Sequence, residues 1–319
     1  MKLDSKYVPL AATAIVLAAL YAAGGLAYPN FGSLRVFVNL FGDNAFLGIA
    51  AVGATFVILS GGIDLSAGSM VAFTSILVAQ LVSGGMHPLL AMAIALLCGG
   101  AFGAGMGALI HQFTLPPFLV TLSGMFFLRG LGFIVHPEAI AIKHAFYNDT
   151  VAALAIPLRG PVVWPFTATC FVATVAIATV FSAYTRFGRD IYAIGSSESS
   201  ALLMGVPVGR TKIGLYALAS LLSAVAGCVA TCYMQSGNPA SFVGLELDAI
   251  AAAVIGGTLL TGGVGFVPGT MMGVIIYGLI LSLITFQGNL NSWWTRIAVG
   301  ALLLAFILLQ RLFFRRVRR

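Results

Sequence analysis

Apolar runs at 8–27, 44–60, 66–83, 88–110, 118–135, 164–184, 213–233, 249–261, 269–286 and 294–312 are strung along the chain, separated by polar stretches. Crossing a bilayer core of about 30 Å takes roughly 17 to 25 helical residues. The pattern therefore predicts ten spanning helices, with the run at 249–261 too short to cross alone. The first run follows Lys2 and Lys6. It is longer than the roughly 7 to 15 apolar residues of a signal peptide, and is read as an uncleaved helix. The fold class that follows is all-α: a polytopic transmembrane helical protein of about ten spanning helices with two Gly-rich helix breaks.

Those breaks are an internal repeat. "SGGIDLSAGSM" at 60–70 and "TGGVGFVPGTM" at 261–271 align at an offset of 201 residues, each between two apolar runs. Non-helical backbone inside a membrane survives only where protein or a water-filled cavity satisfies it, and paired interruptions in corresponding halves point to a transporter's central pathway. Gly61, Gly62, Ser66, Gly262 and Gly263 are pathway candidates on this ground, together with Asp64. A carboxylate costs about 2.5 to 3.5 kcal/mol at a bilayer centre, so Asp64 should face protein or water. Two roles suit it: a cap, with Ser66 and Ser69, for the helix that follows, or a group lining the solute route.

Arg129, in "GMFFLRGLGFIV", is the basic residue left inside a predicted span. It is expected to pair with Asp64 or a backbone carbonyl, to snorkel to an interface, or to touch solute, and is the last pathway candidate. Glu246 and Asp248 are placed to begin a helix, where acidic groups suit the helix dipole. Trp164, Trp293 and Trp294 fall at predicted outer boundaries, as an aromatic belt would.

Composition sharpens this picture. The chain is 60% hydrophobic and 8% charged, against roughly 25% charged in a soluble domain, which excludes a soluble globular protein. No polar stretch leaves room for a separate catalytic or nucleotide-binding domain, so 1–319 is read as a single transmembrane domain. With ten spans both termini share a side. Arg186, Arg189, Arg210, Lys212, the two N-terminal lysines and five arginines after position 310 fall on it, against Arg35, Lys143, Arg159 and Arg296 opposite. That asymmetry predicts cytoplasmic termini, and it makes the net charge of +7 a membrane anchor rather than a nucleic-acid surface. The cysteines lie in apolar runs, and the histidines lack metal-ligand spacing, so no metal site and no cofactor is expected.

The inner segment 185–212 carries cationic ends around "SSESSALLMGV". Serine caps, an early glutamate and apolar Leu202, Leu203 and Met204 before Gly205 predict a short helix across the membrane face. Such a helix is either a plain connector or an anchor for a groove on another protein. The sequence has no GxxxxGK[ST], no HExxH and no evident nucleophile with its base, so catalysis by this chain is not expected.

"FVILSGGIDLSAGSMVAF", "TRFGRDIYAIGSSESSALLMGV", "ELDAIAAAVIGGTLLTGGVGFVPGT" and "WWTRIAVGALLL" together resemble, in order and over nearly the whole chain, the permease subunits of bacterial monosaccharide ABC importers, the ribose-type family. "DNAFLGIAAVGATFVILSGGIDLS" and "LNSWWTRIAVG" resemble the galactofuranose importer permeases within it. The resemblance implies an inner-membrane protein that forms half of a translocation pathway with a second permease, identical or not. It also implies two ABC ATPase domains on the cytoplasmic side and a periplasmic sugar-binding protein. By the same resemblance residues 196–205, with Ser196, Glu198, Leu202, Leu203, Met204 and Gly205, would be the coupling helix to the ATPase. The alternative is an ion-coupled secondary sugar transporter, for which the chain offers few titratable groups at depth.

Overall fold

A computed structural model describes residues 8–288 and 293–317. The helices are α1 (Val8–Ala27), α2 (Leu34–Asp43), α3 (Ala45–Leu59), α4 (Ala67–Ser83), α5 (Pro88–Gln112), α6 (Pro117–Val135), the single turn α7 (Val151–Ala153), α8 (Phe166–Tyr184), α9 (Arg186–Ser196), α10 (Glu198–Leu203), α11 (Val208–Met234), α12 (Leu245–Ile255), α13 (Val267–Gln287) and α14 (Trp293–Val317). Strand pairing among the described residues is limited to two short antiparallel pairs, Ile140 with Gly237 and Ile156 with Trp164. The all-α polytopic class is what the apolar runs predict.

The described residues do not confirm the count of ten spans. Among the described residues six helices are long and apolar enough to cross, or seven if α2 and α3 form one span bent by 54°. α4 has 17 residues, the described apolar part of α14 ends at Leu308, and α12 has only 11. α2 precedes the second predicted run and carries no continuous apolar signal, because Asn39, Gly42, Asp43 and Asn44 break its pattern. Ser33 caps it by accepting the Val36 N–H. At the bend, the Asn44 side chain donates to the Leu40 carbonyl and lies against Gly278 of α13, where a larger residue would collide with it.

The centre of the bundle is α11 packed along α5, α3 and α4. Without water to drive helices together inside a bilayer, close packing of small residues is what holds them. Gly99, Gly103 and Gly107 form one stripe of α5, and a β-carbon on any of them would collide with α11. At Gly103 the obstacle includes the Tyr216 carbonyl, and at Gly107 the Ile213 backbone. Around this contact Ile49, Val52, Phe56, Phe171, Leu215 and Ala219 build the main apolar core.

Candidate functional site

The two breaks share their first turn and diverge at the next residue, where Gly263 is left-handed and Gly62 is not. Gly61 and Gly262, aligned in the repeat, share a left-handed φ of +82° that a β-carbon would oppose. The two breaks touch. A β-carbon on Gly262 would collide with Gly61 and with the Gly195 carbonyl, and the Gly263 N–H donates to the Leu59 carbonyl at 2.9 Å. Gly195, near the end of α9, has Leu59 O and Gly263 N so close that no side chain fits there. The ends of α3, break 2 and α9 therefore meet backbone to backbone.

Break 1 then runs on from this junction into the bundle. Gly62 lies against the Tyr216 hydroxyl of α11, and Gly68, in the first turn of α4, lies against the Glu246 carboxylate and the Phe242 carbonyl. Glu246 opens α12, whose 11 residues span about 16 Å. Asp64 is 4% exposed and accepts the Ser66 N–H at 2.8 Å and the Ser66 hydroxyl at 2.7 Å. Asp64 thus fixes Ser66, the residue at the N-cap of α4, while no side chain caps the N–H groups of the first turn and Ser69 Oγ is left without a hydrogen bond.

Arg129 and Asp64 do not meet. Arg129 donates to the Pro239 and Ser241 carbonyls, both at 2.7 Å, and so ties α6 to the loop ahead of α12, which is the backbone-carbonyl role among those expected. Glu246 and Asp248 lie in the first turn of α12 as predicted, where Asp248 accepts from Tyr277 at 3.1 Å. Trp293 stands exposed with the Arg296 guanidinium 5.3 Å from its ring centre.

The segment 185–212 forms α9, α10 and the first turn of α11. Ser196 belongs to the end of α9 and faces Gly263, whereas the cap of α10 is Ser197, which accepts the Ser200 N–H. α10 buries Ala201 against Ile194 and Val208, leaving Leu202, Leu203 and Met204 at 63%, 89% and 71% exposure. Gly205 ends it at φ +81°. The Glu198 carboxylate meets Lys212 at 2.7 Å, a surface pair worth at most about 1 kcal/mol that sets α10's direction more than its stability. On α9, the Tyr192 hydroxyl donates to the Gly265 carbonyl of break 2 at 2.8 Å. Burial pushes this phenol above its ordinary pKa, so it remains a donor.

A family model described as "Branched-chain amino acid transport system / permease component" matches residues 36–307, which takes in both breaks, α9 and α10. The chain belongs to that permease family. Among curated proteins this permease is 50% identical over 285 residues to the inner membrane ABC transporter permease protein YjfF of Escherichia coli strain K12, covering 89% of this chain and 86% of that one. It is 37% identical to the fructose import permease protein FruG of Bifidobacterium longum, over 97% and 92% of the two chains. It is 38% identical to the ribose import permease protein RbsC of Bacillus subtilis, over 89% and 87%. No solved structure matches the permease. As a permease component it leaves ATP hydrolysis to partner subunits.

The residues that sequence reasoning missed are Gly195, Tyr216 and Thr270. Gly195 reads as an ordinary helix end, and Tyr216 and Thr270 as core, because their neighbours come from more than 50 residues away.

Proposed function

We propose that this permease is one half of the membrane pathway of an ATP-driven monosaccharide importer, with galactofuranose as its sugar. The carrying observation is that α10, with three exposed apolar side chains, is joined through Gly195 and Tyr192 of α9 to break 2, and through Gly195 to Leu59 at the threshold of break 1. A push on α10 has a short, stiff route to the elements that interrupt the spanning helices. The cations Arg186, Arg189, Arg210 and Lys212 favour the cytoplasmic side for this end of the bundle in a bacterial inner membrane, and cytoplasmic termini belong to the same reading.

In this reading α10 and the turn at Gly205 form the coupling helix for an ABC ATPase, two of which serve a pair of permeases. A periplasmic binding protein delivers the sugar from the other side. Gly61, Gly62, Asp64, Ser66, Gly262 and Gly263 shape the route, and Arg129 steadies its outer wall through residues 239–241. Sugar is favoured over a branched-chain amino acid because the relatives named for a substrate import fructose or ribose. Galactofuranose rests on the likeness of "DNAFLGIAAVGATFVILSGGIDLS" and "LNSWWTRIAVG".

The test is uptake of labelled galactofuranose into proteoliposomes holding this chain, its partner permease, the ATPase and the binding protein. Uptake is expected only with ATP on the ATPase side and binding protein on the other. Ribose or leucine taken up in its place would change the substrate, and uptake driven by a proton gradient without ATP would overturn the importer.

A further inference from the structure

A polar atom sealed from water without a hydrogen-bond partner loses its hydration and gains nothing, so native chains keep few of them. Among the described residues six side-chain atoms are so placed, and three surround the eight residues from Gly62 to Ser69: Tyr216 Oη against Gly62, Ser69 Oγ, and Glu246 Oε2 against Gly68. Break 2 has one, Thr258 Oγ1 against Gly265. A phenylalanine would fill the Tyr216 site without burying a bare hydroxyl; the Glu246 carboxylate is steadied by backbone N–H groups of its own turn and by the Arg129 charge, so that Oε2 alone is left without a bond.

The two breaks are also tied down unequally. Thr270, aligned with Ser69 in the repeat, pairs its hydroxyl with Thr55 at 2.6 Å. The position aligned with Thr55 is Gly256, so Ser69 has no such partner. Break 2 is further held from outside by the Leu59 carbonyl and by Tyr192. Among the described residues the side-chain bonds between Gly62 and Ser66 are those of Asp64 with Ser66 inside the break and of Thr121 to the Ile63 carbonyl at a long 3.3 Å, and the Gly62 N–H turns back to the Val57 carbonyl of its own preceding helix.

Resting on the importer reading, we propose that break 1 is the movable gate and break 2 the fixed abutment beside it, with Tyr216 and Glu246 as positioning residues that hold the gate in its second position. There Tyr216 Oη donates to a carbonyl of the Gly62–Ser66 backbone, and Glu246 Oε2 accepts from an N–H of the first turn of α4 or from Ser69. The bare atoms of one position become the bonds of the other, which keeps the two close in free energy, as alternating access requires.

The test uses the assembled complex with Cys98, Cys170, Cys228 and Cys232 replaced by serine, carrying either Ile63→Cys or Val264→Cys. Labelling by a water-soluble maleimide is followed without nucleotide and after trapping with ATP and vanadate. The rate at position 63 is expected to change at least fivefold between the two and that at 264 less than twofold. Equal changes at both, or none at 63, overturn the gate. Tyr216→Phe is expected to keep or raise the melting temperature while lowering sugar uptake at least fivefold and shrinking the difference at position 63. Unchanged uptake overturns the role of Tyr216, and a lower melting temperature alongside it would identify a bridging water as the partner. The labelling contrast needs no sugar. A wild-type complex that takes up no monosaccharide therefore counts against the importer, while positions 63 and 264 still decide the gate.

Discussion

Gly195 has no room for a side chain because α9 arrives end-on against the Leu59 carbonyl and the Gly263 N–H, two backbone groups that cannot rotate away. Gly105, in the middle of α5, has nothing near its missing β-carbon. The same substitution should therefore have opposite signs at the two places. Gly195→Ala is expected to destabilise by about 3 kcal/mol through forced backbone displacement. Gly105→Ala is expected to be neutral or to stabilise by up to about 1 kcal/mol, the ordinary helical preference for alanine. Melting temperatures of the two purified variants in detergent check both, and equal shifts would mean that α9 does not press on the breaks as described. Neither residue announces itself in the sequence. Gly61 and Gly262 do, because the repeat aligns them, whereas the significance of Gly195 comes from chain segments that are near only after folding.

At the scale of elements, α10 has six residues, too few to be stable as a helix by itself. It is held by the Ser197 cap, by Ala201 packed beneath it and by the Lys212 ion pair, and so presents Leu202, Leu203 and Met204 on a fixed platform. Leu203→Asp changes nothing inside the fold. It is expected to leave membrane insertion and melting temperature unchanged while lowering sugar-stimulated ATPase activity at least tenfold; stimulation at the wild-type level would remove α10 from the ATPase contact. This helix was legible from "SSESSALLMGV" because caps and an exposed apolar triad are local signals. The number of spans was not. Whether 11 residues of α12 or the bent pair α2–α3 cross a membrane depends on what they lean against, and a run of apolar letters does not carry that.

Across the whole molecule, the 25 residues of α5 and the 27 of α11 are the longest described pair in contact, interlocked at Gly99, Gly103 and Gly107 against Ala224, Ser220 and Ile213. Sliding one along the other would drive backbone into backbone at each step. Gly103→Val is accordingly expected to cost at least about 3 kcal/mol and to lower the yield of correctly inserted protein severalfold, measured as folded monomer after detergent extraction. A normal yield would mean that α5 and α11 can separate. In the chain α5 precedes the 185–212 segment, and the part of α11 that meets it, from Ile213 onward, follows that segment. A chimaera that joined the first half of this permease to the second half of a relative would thus inherit a lock from one parent and a key from the other. Exchange of halves between such permeases is therefore constrained, beyond the contact of one break with the other, by whether the incoming α11 is slim enough at the levels of Ile213, Ser220 and Ala224 to lie against three bare glycines.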